Sequence, residues 1–167
     1  MSQVSANEKT SRSTVLVQRI CGTIGIGGGV AGLATLPAIV GRISAMSVLV
    51  ICVVVGAMYS YGIWSGLRFI EGDPRAPKAF RAFLLLQVPI LQTSVISYFF
   101  ASLASFSFIW RSTGNLDVIF ATSSGWTLSI FSNPVSSGIG INVVPLVMLV
   151  GLSLLRRFHG RAQTSHE

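Results

Sequence analysis

Charge is scarce in this sequence, and the scarcity excludes an ordinary water-soluble surface. Only 10% of the 167 residues are charged, and 51% are hydrophobic. A typical soluble domain has about 25% charged residues. No acidic residue occurs between Glu8 and Glu71. Together with a mean hydropathy of +0.70, this composition favours a membrane protein.

Cysteine and histidine are also scarce, which limits metal and redox chemistry. Cys21 and Cys52 lie in apolar runs and are too far apart for a CxxC pattern. We expect both to pack as small hydrophobic side chains. His159 and His166 lie near the end of the sequence, without a cluster of carboxylates or cysteines around them. The sequence therefore predicts no metal and no cofactor.

One glycine-rich stretch matches the glycine pattern of a dinucleotide-binding motif. Gly27, Gly29 and Gly32 match GxGxxG. That motif also needs an acidic residue about 20 positions later to hold a ribose hydroxyl. No Asp or Glu follows before Glu71, so we expect no nucleotide cofactor here.

The longest uncharged run is Ala82–Trp110, which contains no Asp, Glu, Lys, Arg or His. As a helix, its 29 residues would extend roughly 43 Å, more than the ~30 Å of a hydrocarbon core. The length predicts a tilted spanning helix, and Pro89 predicts a kink within it.

Four apolar segments predict an all-α fold, a four-helix transmembrane bundle. Pro37 and Gly41 favour a break between the first two segments. The predicted domain covers 15–157, between a disordered tail at 1–14 and a basic tail at 158–167. The predicted spans are 20–38, 43–67, 82–110 and 139–155.

The segment between the third and fourth spans is too polar in patches to cross a membrane. Leu116–Ala121 and Trp126–Phe131 are rich in β-branched and aromatic residues, and TSSG between them is a turn signal. We predict a short extramembrane loop here, with a small hairpin as one interpretation.

The distribution of basic residues predicts the orientation in the membrane. In the four-span arrangement, ten of the 12 Lys and Arg residues lie on one side, which the positive-inside rule assigns to the cytoplasm. We therefore expect a multi-pass protein of the plasma (inner) membrane, with both termini cytoplasmic and anionic lipid at that face. The alternative is that residues 20–36 act as a cleaved signal. The residues expected to anchor the topology are Arg42, Arg68, Arg111, Arg156 and Arg157.

Two sets of small residues predict close helix packing. Gly25 with Gly29, and Gly28 with Gly32, form overlapping GxxxG pairs, which allow two helix backbones to approach closely in lipid. In the predicted third span, small residues recur at spacings of three and four: Ser94, Ser97, Ala101 and Ser105.

A candidate polar pocket is the place where function is most expected. Gln87, Gln92 and Tyr98 lie near Pro89, which would leave a helix carbonyl without its hydrogen bond. The simpler interpretation is that these side chains form hydrogen bonds between helices.

The leading functional hypothesis is a small non-enzymatic membrane protein that packs against itself or a larger membrane partner. The sequence contains no recognisable general acid–base pair or nucleophile set. One alternative is a transporter or channel component that uses the candidate polar pocket, and another is a membrane enzyme acting on lipid. The basic residues lie at the ends of apolar runs and not on a soluble face, so nucleic acid is not an expected partner.

Overall fold

The computed structural model describes residues 2–40, 46–130 and 137–163, which form four helices and six strands. The helices are α1 (Ser2–Val40), α2 (Met46–Ile70), α3 (Ala76–Leu86) and α4 (Val143–Gln163). Between α3 and α4 lie β1 (Pro89–Gln92), β2 (Ile96–Ala101), β3 (Ser105–Arg111), β4 (Leu116–Ala121), β5 (Gly125–Ile130) and β6 (Gly138–Asn142).

Two helices, α1 and α2, are long and apolar enough to span a membrane. The qualifying windows, Val15–Pro37 and Val48–Ile70, contain 23 residues each. A helix of that length extends about 34 Å, similar to the ~30 Å hydrocarbon core. Only 33% and 28% of the two windows are buried, so most of their apolar surface faces outward.

Glycines allow α1 and α2 to approach each other at backbone distance. A Cβ atom on Gly22 would lie 2.8 Å from the carbonyl oxygen of Gly66, and one on Gly29 would lie 2.8 Å from that of Tyr59. A Cβ atom on Gly25 would lie 3.3 Å from the carbonyl oxygen of Gly62 on α2 and 2.7 Å from the Phe80 ring. We call Gly22, Gly25, Gly29 and Gly66 the glycine seam. Any side chain in this seam would push the helices apart.

The short helix α3 closes the core beside α1 and α2. Phe80 and Phe83 are fully buried, and Phe80 stacks on Phe69 of α2 with 5.1 Å between ring centroids. The Phe83 ring fills the space left by the missing side chain of Gly62 and meets Phe100 of β2 edge-on at 6.1 Å. Aromatic burial of this kind dominates core energetics.

The six strands form one antiparallel sheet with the order β4-β3-β6-β1-β2-β5. β1 and β2 form one hairpin, and β3 and β4 form another around Gly114, which has a φ of +84°. β6 lies between the two hairpins and pairs with β3 and with β1. The edge strands are therefore β4 and β5.

The sheet has an apolar outer face on β3, β4 and β6. In the register, Phe106 pairs with Phe120, and Trp110 pairs with both Leu116 and Ile139. Directly paired residues point to the same side. We call these side chains the outer face: Phe106, Phe108, Trp110, Leu116, Val118, Phe120, Ile139 and Ile141. The opposite side of β3 and β6 is buried and mostly small or polar, with Ser105, Ser107, Ile109, Gly138, Gly140 and Asn142.

Asn142 connects the sheet to α4. Its side-chain Oδ1 accepts hydrogen bonds from the backbone N–H of Phe106 at 3.1 Å and of Val144 at 3.3 Å. The backbone N–H of Asn142 donates to the Val88 carbonyl at 2.8 Å. An Asn that accepts from the first turn of a helix is a favoured N-cap, so this residue both ends β6 and starts α4.

The sheet meets the helices near the middle of the two apolar windows. The Tyr59 hydroxyl donates to the carbonyl of Ala101 at 3.2 Å, and its ring lies 4.7 Å from that of Phe100. The Ser124 hydroxyl donates to the Gly28 carbonyl at 2.9 Å. These contacts hold the end of β2 and the β4–β5 connection against α1 and α2.

The predicted four-helix transmembrane bundle is wrong. Only the first residues of the predicted span 82–110 are helical, in α3, and the rest forms β1, β2 and β3. The predicted span 139–155 begins in β6 before α4 starts at Val143. Within the described residues, only α1 and α2 qualify as membrane-spanning helices. Uncharged segments rich in aromatic and β-branched residues also form buried strands, and this explains the error.

The predicted hairpin between Leu116–Ala121 and Trp126–Phe131 is also wrong. β4 covers the first segment and β5 begins at Gly125, but β4 pairs with β3 and β5 pairs with β2. Residues 2–14, expected to be a disordered tail, belong to α1. Pro37, expected to end the first helix, lies inside α1, and Gly41 lies outside the described residues.

We predict opposite effects of two alanine substitutions on α1. Gly32→Ala would place a Cβ inside the Tyr59 ring, whereas Gly27→Ala would meet no described atom within 4 Å. Overpacking typically costs about 1–3 kcal/mol, while replacing a helical Gly with Ala gains about 0.5–1 kcal/mol. Thermal unfolding in detergent should therefore show a lower Tm for Gly32→Ala and an equal or higher Tm for Gly27→Ala. Equal melting of the two variants would contradict the close contact.

Candidate functional site

A groove at the turn between α2 and α3 combines aromatic and basic side chains. Its volume is about 600 Å³. Tyr61, Trp64 and Arg68 come from the last three turns of α2, and the rest come from the turn and the start of α3. The lining residues are Tyr61, Trp64, Arg68, Asp73, Arg75, Ala76, Lys78 and Ala79. We call this site the basic groove.

Asp73 organises the turn. Its carboxylate accepts from the Arg68 guanidinium at 2.8 Å and from the Arg75 backbone N–H at 2.8 Å. The Arg75 N–H bond and then the Arg68 side chain lower the pKa of the Asp73 carboxyl below its usual value. Gly72, with a φ of +78°, allows the chain to reverse just before this carboxylate.

The positive charge of the basic groove exceeds its negative charge. Asp73 forms an ion pair with Arg68, and it is the only acidic residue in the lining. Within the described part of the chain, Arg75 and Lys78 form no ion pair. Two cations are therefore available to an anion at this position.

Aromatic rings form the opposite wall of the basic groove. The Tyr61 hydroxyl donates to the Ala79 carbonyl at 3.2 Å, which fixes α2 to α3. Its ring stacks with that of Trp64 at 5.6 Å, and the Arg68 guanidinium lies 5.0 Å above the Trp64 ring. Trp64 nevertheless remains 45% exposed, so an indole surface faces the groove.

The structure places the residues of the candidate polar pocket in different elements, with Gln87 at the end of α3 and the other three in β1 and β2. Gln87 lines an almost apolar cavity of about 80 Å³ between α1, α3, α4 and the β2–β3 loop, and Pro89, Gln92 and Tyr98 do not. Its Oε1 accepts from the Ser102 N–H at 3.0 Å, and its Nε2 donates to the Phe83 carbonyl at 3.4 Å. This side chain therefore ties α3 to the end of β2.

The other three pocket residues belong to the sheet. Pro89 is the first residue of β1, a position where its missing N–H is tolerated. Gln92 accepts from the Arg111 guanidinium at 3.3 Å. The Tyr98 hydroxyl donates to the Leu86 carbonyl, and burial raises the pKa of Tyr98 to about 12.

All four predicted helix-packing glycines make contacts inside the chain. Gly25 and Gly29 belong to the glycine seam, Gly28 lies against Ser102, and Gly32 lies against the Tyr59 ring. The second predicted set is not on a helix: Ser94 is exposed in the β1–β2 turn, Ser97 and Ala101 are buried on β2, and Ser105 is buried on β3.

The predicted topology anchors are dispersed. Arg68 lines the basic groove, whereas Arg111 lies on β3 and forms an ion pair with Asp117 at 2.5 Å. Arg156 and Arg157 lie in α4, and Arg42 lies outside the described residues.

The sequence contains two signals of the basic groove. Tyr61, Trp64 and Arg68 are spaced by three and four, which places them on one helix face. Pro77 in the first turn of α3 signals that the chain reverses there. These two signals together could have indicated the basic groove.

No protein-family model, curated protein or solved structure matches this chain. Among the described residues, His, Cys, Asp and Glu side chains form no group of three that could hold a metal ion. The function is therefore inferred from the geometry of the chain itself.

We predict that the turn at Asp73 depends on pH. Because the folded pKa is lowered, the stabilisation is present above the usual carboxyl pKa and is lost as pH falls through the lowered value. At neutral pH, Asp73→Asn should speed hydrogen exchange of the Arg75 amide. Glu71→Gln, which removes an exposed carboxylate from the same turn, should leave that rate unchanged. Equal rates in all three proteins would show that Asp73 does not hold the turn.

Proposed function

We propose that this protein is a non-enzymatic membrane protein, anchored by α1 and α2, that pairs with a second copy of itself through β4. The observation that carries the proposal is an open edge strand with exposed apolar side chains on both faces, in a sheet that meets two membrane-capable helices at mid-length. The two parts of the proposal, anchoring and pairing, rest on different contacts.

Anchoring is supported by apolar side chains that point away from the protein along α1 and α2. Val30, Val50 and Val53 are more than half exposed, and Met46 is 77% exposed. Exposed apolar surface costs roughly 25 cal/mol per Å² in water. A helix in the core of a soluble protein would bury this surface, whereas a bilayer removes the cost without further contacts.

The orientation follows from the charges around the α2–α3 turn. Arg68, Arg75 and Lys78 lie next to an aromatic pair at the end of α2, an arrangement typical of a cytoplasmic membrane interface. Because α1 and α2 are antiparallel neighbours, the beginning of α1 is on the same side. Arg81 donates to the Leu152 carbonyl at 3.2 Å, which supports the same side for the middle of α4. We infer that both ends are cytoplasmic.

Pairing is supported by the position of the sheet. Its contacts with Gly28 and Tyr59 lie at the middle of the apolar windows, so part of the sheet is at membrane depth. Unpaired backbone N–H and C=O groups are not tolerated against hydrocarbon. Among the described strands, β4 has a neighbour on one side only. A lipid chain cannot satisfy that edge, but another strand can.

β4 is suited to pair with a copy of itself. Val118 and Phe120 are exposed on the outer face, and Ile119 is exposed on the other. The one charge, Asp117, is already paired with Arg111, so two β4 strands do not repel each other. β5, the other edge, instead packs Trp126 and Leu128 against the core. An antiparallel β4–β4 contact is isologous and forms a closed dimer.

The glycine seam does not offer an alternative surface for association. Gly22, Gly25 and Gly29 already meet α2 or α3 of the same chain. Glycine pairs join helices only where no other side chain fills the contact. The sheet edge is therefore the better candidate for the association surface.

Anchoring predicts that the protein behaves as an integral membrane protein. After sodium carbonate at high pH, the full chain should remain in the membrane pellet and should be released by detergent. A Val50→Lys, Val53→Lys variant, which places two cations on the exposed face of α2, should shift to the supernatant. Release of the unaltered protein by carbonate alone would contradict anchoring.

Pairing predicts a localised cysteine cross-link. With the free cysteines Cys21 and Cys52 replaced by alanine, single cysteines at each position of Leu116–Ala121 should give a disulfide dimer with one maximum near Val118 or Ile119, where identical residues face each other. Paired strands bring Cα atoms to about 4.5–5.5 Å, within disulfide range. Thr127→Cys on β5 is the control and should give no cross-link, although the protein still pairs through β4. Absence of a maximum on β4, or a stronger cross-link on β5, would contradict the proposed contact.

A further inference from the structure

We propose that the basic groove binds the phosphate of an anionic phospholipid, whose acyl chain lies along the exposed face of α2. The inference rests on the proposed membrane anchoring and adds a specific ligand and its site. Three observations carry it: the charge of the groove, its size and the apolar stripe that continues from it.

The charge of the basic groove selects an anion. Arg75 and Lys78 have no ion-pair partner among the described residues, while Asp73 neutralises Arg68. Arginine matches phosphate oxygens with two parallel hydrogen bonds, and lysine adds a compact charge. The first turn of α3 contains no acidic residue, so the positive end of its dipole adds to the attraction.

The size of the basic groove suits a headgroup and not a single ion. Its volume of about 600 Å³ lies within the roughly 300–1,000 Å³ typical of small-molecule sites. Tyr61 and Trp64 form a wall on which the glycerol region can rest. Tyr and Trp favour this level of a bilayer because their rings are apolar and their polar atoms reach water.

An exposed stripe on α2 continues from the groove for the length of an acyl chain. Trp64, Ser60, Ala57 and Val53 are all exposed and spaced by four, three and four residues, so they lie on one face. From Val53 to Trp64 the stripe rises about 16 Å along the helix, close to the ~15 Å that an acyl chain covers in one leaflet of a ~30 Å core. Its length therefore matches that of an acyl chain.

This continuity distinguishes a lipid from a soluble phosphate compound. A free phosphate would use Arg75 and Lys78 but would gain nothing from Trp64 or the stripe beyond it. A phospholipid uses both, because its phosphate lies at the groove and its chain lies along α2. The amphiphilic ligand is therefore the one that the whole surface fits.

Binding can be measured on delipidated full-length protein in uncharged detergent micelles. Native mass spectrometry would count bound phosphatidylglycerol, with phosphatidylcholine and inorganic phosphate as separate arms. We expect phosphatidylglycerol to bind at least about tenfold more tightly than phosphatidylcholine, because both lipids carry the phosphate but the choline cation of phosphatidylcholine would lie beside Arg75 and Lys78 and be repelled by them. Inorganic phosphate at the same concentration should not displace it.

Matched variants test whether the groove is the site. Arg75→Gln and Lys78→Gln should each weaken phosphatidylglycerol binding about tenfold or more. Arg19→Gln is the control, because Arg19 is an exposed cation on α1 outside the groove lining, and it should change binding less than about twofold. Thermal unfolding of each variant would establish that the fold is retained.

Three results would overturn the proposal. Equal binding of the two lipids would show that the charge of the groove does not select its ligand. An equal loss in Arg19→Gln would indicate general charge attraction, and displacement by inorganic phosphate would indicate a soluble ligand. Failure of anchoring is a separate outcome, because carbonate extraction measures it without reference to lipid binding in micelles.

Discussion

The close approach of α1 and α2 at the glycine seam is the contact on which the rest of the structure depends. Gly22 and Gly29 face backbone carbonyls of α2 at distances that leave no room for a side chain. The approach sets the position of Tyr59, whose hydroxyl reaches Ala101 of the sheet. It also leaves the carbonyl of Gly28 accessible to Ser124. Helix packing and attachment of the sheet are therefore consequences of the same small residues.

Buried polar side chains connect the elements that hydrophobic packing alone would not align. Gln87 joins the end of α3 to the turn after β2, and Asn142 joins β3, β6 and α4. Each is nearly or fully buried, where an unpaired polar group would cost about 1–3 kcal/mol. Polar contacts therefore lie inside the chain, while much of the apolar surface faces outward. The outward-facing apolar surface is the physical basis for proposing that a bilayer surrounds the protein.

The sequence allowed the first half of the fold to be predicted better than the second. Long apolar runs and overlapping GxxxG pairs indicated two closely packed helices, and α1 and α2 are the two that could span a membrane. In the run 82–110, Ser105, Phe106, Ser107 and Phe108 alternate with a period of two, which is a strand signal. Ser94, Ser97, Ala101 and Ser105 of the same run also fit a helical stripe at spacings of three and four, and the length of the run favoured the helix. The alternating segment Ser105–Phe108 is so short that its pattern alone does not decide between a strand period of two and a helical period.

The basic groove could be predicted only in part. The charges around Asp73, the preceding aromatic residues and the turn between them and the next helix can be predicted from the sequence, but the packing of α3 against α2 through Tyr61 and Ala79 cannot. That packing brings Lys78 and Trp64 into one groove. It depends on Phe80 and Phe83 filling the space beside Gly25 and Gly62, a tertiary contact that single-sequence reasoning does not reveal.

The central claim is that a six-stranded sheet, and not a third spanning helix, follows α3. Magic-angle-spinning NMR of the full chain in bilayers tests it directly through the Cα and carbonyl chemical shifts of Phe106 and Phe108. The account predicts strand values at both positions, with inter-strand contacts from Phe108 to Val118 and Ile141. Helical shifts at these two residues would contradict the sheet and restore a continuous spanning helix.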